Sequence, residues 1–186
     1  MDTTENSDMH DSSFKKSTLS FVSQMILRFL AIVTTLVATW LILTSREKVV
    51  IFGMTADASY KYSSAYRFFA YANLIAFISS VLSLLVTIII GNTAFNPNKY
   101  FYLFLHDLIL TVLLMAGCAA ATAIGFVGTY GNGHIGWMKI CDNFGKFCNR
   151  VTLSIGFSYV CVGIYFLLAI VSANISRHCC TNNGIN

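Results

Sequence analysis

Proline is almost missing from this chain, with Pro97 alone among 186 residues. Charge is scarce as well: 11% of residues, against roughly 25% in an average soluble domain. A soluble chain of this length and so little polarity would not cover its own core. The formal net charge of +4 is scattered along the chain, and no basic stripe of the kind that binds nucleic acid is present. Strict alternation of apolar and polar residues, which a membrane β-barrel requires, is absent. Neither a phosphate-cradling glycine loop, nor Gly-x-Ser-x-Gly, nor His-Glu-x-x-His occurs, and nothing pairs a nucleophile with a base. Cys-x-x-Cys is missing too. These absences argue against an enzyme, and no cofactor is expected.

What the chain does have is hydrophobicity, 56% of residues, with 14% aromatic. A bilayer core about 30 Å thick takes roughly 20 apolar residues of helix to cross, and four segments satisfy this: 25–44, 68–90, 104–127 and 151–175. Helices are the reading that satisfies backbone amides in lipid. The expected fold is therefore an all-α membrane protein, a four-transmembrane-helix bundle with short loops. Residues 1–24 form a polar tail expected to be disordered, residues 25–175 the membrane domain, and 176–186 a short C-terminal tail. Asp2, Glu5, Asp8 and Asp11 precede Lys15 and Lys16, the wrong order for a cleavable signal peptide. Asn96-Pro97-Asn98 marks a tight turn between the second and third spans. No convincing internal repeat supports an inverted-repeat transporter.

Four spans put both termini on one side, and two rules disagree about which. Lys15, Lys16, Lys99 and Arg177 lie with the termini, whereas Arg46, Lys48, Lys61, Arg67, Lys139, Lys146 and Arg150 lie opposite. The positive-inside rule alone would send the termini outside. Cysteine chemistry points the other way. Cys141 and Cys148 share one short loop and suit an oxidising compartment, where they are candidates for a local disulfide. Cys179 and Cys180 follow the last span and suit cytosolic palmitoylation, with two unmodified cysteines the equal alternative.

Arg28 and Asp107 are the charges inside the spans. A charge there costs at least ~2.5 kcal/mol and faces the bundle interior with a partner. The first and third spans run in the same direction, and each residue enters from the same membrane side, so an ion pair fits. A structural pair is favoured over an ion or proton path, since polar residues in the other leaflet look confined to Asn73. The bland reading of Arg28 is snorkelling to the headgroups. Gly117, Ala121 and Gly125 recur at four-residue spacing in the third span and let another helix approach closely, either within the bundle or between copies. His134 near Cys141 and Cys148 gives only a weak zinc signal, so no metal is expected. Trp40, Trp137, Tyr60, Tyr62, Tyr66 and Tyr71 suit interface anchoring. The sequon Asn174-Ile175-Ser176 sits too close to the fourth span to be a good glycosylation acceptor.

Over roughly residues 27–172 the chain resembles the CASP-like proteins, relatives of the plant Casparian strip membrane domain proteins, and more distantly the MARVEL four-span proteins. The resemblance rests on Leu27-Arg28-Phe29-Leu30, on His106-Asp107-Leu108 and on Ala119-Ala120-Ala121. It rests also on Gly131-Asn132-Gly133, Trp137 through Cys141, Phe144, Phe147-Cys148 and Arg150-Val151. It implies a multi-pass plasma-membrane protein with both termini cytosolic, and Arg28 and Asp107 as the matching intramembrane pair. It further implies homodimers or hetero-oligomers with other CASP-like proteins, and a scaffold that localises secreted wall-modifying enzymes. The rival function is a small ion- or proton-coupled transporter or channel using Asp107. One departure stands out. The first outer loop, Ala56-Asp57-Ala58-Ser59-Tyr60-Lys61-Tyr62-Ser63-Ser64, lacks the proline- and phenylalanine-containing signature of strip-forming members, which puts strip formation itself in doubt.

Overall fold

Long apolar runs uninterrupted by proline favour helix, and four helices dominate the chain. They are α1 (Thr3–Leu43), α2 (Ser64–Gly91), α3 (Pro97–Tyr130) and α4 (Gly145–Asn183). The computed structural model describes the backbone of residues 3–51, 54–91, 97–134 and 136–183, and the side chains of 22–50, 55–89, 101–134 and 136–177. Four helical segments are long and apolar enough to cross a membrane: Val22–Leu43, Ser64–Ile89, Phe101–Tyr130 and Gly145–Arg177. The protein is thus a multi-pass four-helix membrane protein.

The helices overrun the expected spans at both chain ends. α1 starts at Thr3, so the stretch expected to be a disordered tail is helical, and α4 continues past Ile175 to Asn183. No proline or glycine interrupts either extension, and lengthening an existing helix is far easier than nucleating one. Pro97 opens α3, where its fixed φ and missing N–H suit the first helical turn.

The helices pack in a ring, α1 on α2, α2 on α3, α3 on α4 and α4 back on α1. The bundle is sorted opposite to a soluble core. Large apolar side chains such as Phe29, Trp40, Ile89, Val112, Phe126 and Phe166 face outward. Small polar ones, among them Thr35, Ser80, Ser83, Thr87, Ser154 and Ser158, are buried. Lipid is as apolar as leucine, so interhelical contact is driven by close packing and hydrogen bonds instead.

The loop between α1 and α2 holds structure that was not expected from the sequence. β1 (Arg46–Ile51) and β2 (Met54–Ser59) form an antiparallel hairpin, followed by a 3-10 turn at Tyr60–Tyr62. Register pairs Arg46 with Ser59, Lys48 with Asp57 and Val50 with Thr55. Because side chains alternate across a strand, these pairs share one face, while Val49, Ala56 and Ala58 on the other pack against the bundle core.

One long-range contact fixes the hairpin over the bundle. Glu47 accepts a hydrogen bond from the backbone N–H of Phe147 at 2.8 Å, in the first turn of α4. A carboxylate there satisfies an orphan amide and meets the positive end of the helix dipole. Arg150 adds a bond from its guanidinium to the carbonyl of Thr44 at 3.0 Å. Glu47→Ala is expected to lower stability by about 1–2 kcal/mol, as loss of an ordinary helix cap does. Glu47→Gln, which still accepts, should recover part of it. Thermal unfolding of the three proteins in detergent measures the effect, and identical melting curves would refute the capping role.

Candidate functional site

The most unusual chemistry in the molecule sits at the centre of the bundle. Arg28 on α1 and Asp107 on α3 occupy diagonally opposed helices, so a long side chain is needed to bridge them. The guanidinium of Arg28 donates from Nη1 to Oδ1 of Asp107 at 3.1 Å and from Nη2 to Oδ2 at 3.0 Å. This two-pronged geometry matches the planar fork to both carboxylate oxygens. The two side chains are 1% and 0% exposed, so Arg28 does not snorkel to the headgroups. Nη1 also donates to Ser83 of α2 at 2.5 Å, and His106 Nδ1 lies 3.3 Å from Asp107 Oδ1.

Buried polar pairs continue from there along the bundle. Gln24 donates to Ser172 at 3.1 Å, one turn before Arg28 on α1. Ser80 and Tyr165 are hydrogen-bonded hydroxyl to hydroxyl, and Tyr165 donates to the carbonyl of Ala76 at 3.1 Å. Deeper still, Ser158 donates to Asn73 Oδ1 at 2.6 Å and Ser154 to the carbonyl of Ala38 at 2.7 Å. The expectation that polarity beyond Arg28 and Asp107 is confined to Asn73 is therefore corrected. Serines, a threonine-rich α1 and one tyrosine carry it on. The signal was present in the sequence, but single serines in an apolar run are indistinguishable from lipid-facing ones until the helix faces are known.

The small residues of α3 lie against α2. A Cβ placed on Gly117 would come within 3.3 Å of the Ala72 Cβ and 3.6 Å of the Phe69 Cα. Ala121 is fully buried, and Gly125 faces the hydroxyl of Tyr66. Of the two readings of this stripe, the contacts are those of the bundle interior. On α4, by contrast, Gly156 and Gly163 have open space where a side chain would stand.

The loop between α3 and α4 is tied by its own bonds. Cys141 and Cys148 form a disulfide with their Cα atoms 5.7 Å apart, which removes both thiolates from any zinc set with His134. Among the described residues no group of three or more His, Cys, Asp or Glu could hold a metal ion. Asn132 and Trp137 exchange two backbone bonds of 3.0 Å, and Gly131 takes a φ of +71° at the entry to that turn. A Cβ at Gly131 would also meet the Trp137 carbonyl oxygen at 2.8 Å, so glycine is required there twice over.

Trp137, Phe144 and Phe147 do not act alike. Phe144 and Phe147 are buried in the bundle core, with Phe147 edge-on to Tyr66 at 6.1 Å. Trp137 is 55% exposed on the loop surface. Cys179 and Cys180 fall within the backbone of α4, and their side chains lie outside the described residues. The sequence reading passed over Cys118 and Cys161, two free thiols buried in the bundle.

Residues 17–164, which include Arg28, Asp107, Cys141 and Cys148, match the model of the Casparian strip membrane protein domain. The chain belongs to this family. Similar proteins in the Casparian strip membrane protein domain family include CASP-like protein 1F1 of Vitis vinifera, 50% identical over 151 residues, which is 81% of this chain and 73% of that protein. CASP-like protein 1F2 of Populus trichocarpa is 43% identical over 173 residues, 93% of this chain and 96% of that protein. CASP-like protein 1F1 of Arabidopsis thaliana is 34% identical over 155 residues, 83% of this chain and 89% of that protein. No solved structure matches.

Two expectations follow. Removing one partner of a buried ion pair leaves an uncompensated charge, at a cost of about 3–5 kcal/mol in soluble proteins. Arg28→Ala or Asp107→Ala should each lower surface abundance sharply, and the double substitution should recover part of it. Equal loss in all three would argue against the pairing. Gly117→Leu should likewise deplete folded protein by wedging α3 from α2, whereas Gly163→Leu should leave monomer folding intact. Detergent-solubilised yield and melting temperature distinguish the two.

Proposed function

We propose that this CASP-like protein is a non-enzymatic plasma-membrane scaffold that self-associates and localises secreted partners, with both termini in the cytosol. The observation that carries this reading is the pairing of Asp107, and of the main polar groups beyond it, across the helices. Both carboxylate oxygens of Asp107 are held by Arg28, and Asn73 and Tyr165 each have a partner on another helix. Such groups lock helices together rather than await a substrate. The opposite end carries a hairpin and a disulfide-closed loop, held to each other through Glu47 and α4. A rigid cap of this kind suits an extracytoplasmic contact surface, since the disulfide favours an oxidising compartment. Family membership supports this assignment, and the lack of the strip-forming loop signature puts strip formation itself in doubt.

The competing function is ion or proton transport through Asp107. The buried polar groups beyond it favour that reading more than the sequence did. A conducting route nonetheless needs groups free to exchange partners with the permeating species, and the bidentate hold on Asp107 opposes this.

Orientation and self-association are tested together. An epitope appended at Asn186 should be detected only after permeabilisation, and a fluorescent fusion should bleach in more than one step per particle at the plasma membrane. Staining of intact cells would overturn the orientation. Single-step bleaching, or flux through purified protein in liposomes that Asp107→Asn abolishes, would overturn the scaffold.

A further inference from the structure

The outward face of the hairpin carries a cleft of about 190 Å³ that the bundle chemistry does not use, lined by Arg46, Asp57, Ser59, Lys61 and Tyr62. Drug-sized pockets run to ~300–1,000 Å³, so this one has room for a single small ring. Its construction follows from the hairpin register. Arg46 stands opposite Ser59 and on the same face as Asp57, while the 3-10 turn brings Lys61 and Tyr62 around the open side. Ser59 is 9% exposed, and its hydroxyl oxygen accepts from the Lys61 N–H at 3.5 Å, which fixes the turn against the strand. Tyr62 donates to Asp57 Oδ2 at 3.5 Å and is 73% exposed.

These groups select a particular chemistry. Arg46 and Lys61 offer positive charge, and the guanidinium fork matches a carboxylate. Asp57 and the Ser59 and Tyr62 hydroxyls are hydrogen-bonding groups for ligand hydroxyls. The exposed Tyr62 ring presents an electron-rich face to the polarised C–H bonds of a sugar ring. In the loop that carries the cleft and the first turn of α2 after it, Arg46, Lys48, Lys61 and Arg67 outnumber Glu47 and Asp57, which draws in a polyanion.

We propose that this cleft binds one uronate residue of a carboxylated polysaccharide: the carboxylate sits on Arg46 and Lys61, and the ring lies against Tyr62. The cellular meaning rests on the outward orientation proposed above, but binding itself does not. The test uses the full chain in nanodiscs of phosphatidylcholine, which expose both faces, with oligogalacturonate as the probe and calorimetry as the readout.

Saturable binding is expected. Arg46→Gln and Lys61→Gln should each weaken it at least tenfold, and Lys139→Gln with Lys146→Gln should change it less than twofold. The methyl-esterified oligomer should fail to bind. Melting temperature identifies any variant that misfolds, and Lys61→Gln keeps the test decisive if Arg46→Gln does. No binding, equal binding of the ester, or equal weakening by the Lys139 and Lys146 changes would overturn the site. Because orientation is read separately from the epitope at Asn186, failure here leaves the scaffold reading standing, and the reverse also holds.

Discussion

A guanidinium and a carboxylate meeting at 3.0 Å in a bundle solvated by lipid constrain everything around them. Neither can be exposed, because a bare charge at that depth has no water to turn to. Neither can move far, because both prongs of the contact must be kept. Arg28 and Asp107 sit on helices that are not ring neighbours, so their contact crosses the interior and sets the distance between α1 and α3. Ser83 then brings α2 to the same point, and Tyr165 of α4 joins α2 through Ser80. The ring is drawn together by polar contacts, and small side chains fill the space between.

The second constraint lies at the cap. α4 begins immediately after a loop that holds several of its turns through backbone bonds, with the Gly128 carbonyl accepting from both Ile140 and Cys141. The disulfide returns from the start of α4 to that loop, and Glu47 reaches the same helical turn from the hairpin. The α1–α2 and α3–α4 connections therefore converge on one point, the N-terminus of α4. Phe144 and Phe147 plug the bundle beneath it. The cap and the membrane core are thus one mechanical unit.

The four spans were legible from the sequence because length and apolarity suffice to identify a membrane helix. Arg28 and Asp107 were legible for the same reason: charge in such a run is conspicuous. The hairpin was not. Arg46–Ile51 is short and Ala56-Asp57-Ala58 is weak in strand propensity, so the pair is held by the packing of Val49, Ala56 and Ala58 on the bundle core rather than by local preference. Helix ends were misjudged because hydropathy marks where lipid stops, and the hydrogen-bond ladder of α4 continues past that point. Tyr165 gave no warning either, since an aromatic in a span is more often a lipid-facing or interface residue than a buried donor.

The distribution of partners bears on what the bundle is for. In a conduit, some polar groups must be unsatisfied in the resting protein so that a passing ion can replace an existing ligand. Here both carboxylate oxygens of Asp107 are held by Arg28, and the next polar levels are paired, Ser80 with Tyr165 and Asn73 with Ser158. Arg28 Nε, Gln24 Oε1 and Thr39 Oγ1 do lack a protein partner. The first two lie one helical turn apart beside the ion pair, and Thr39 lies about three turns further along α1, with paired groups between them. With most of the interior polar groups paired, two surfaces are available for recognition: the lipid-facing helices, where Gly156 and Gly163 leave room for a close neighbour, and the cap. The scaffold proposed for this chain needs only those two.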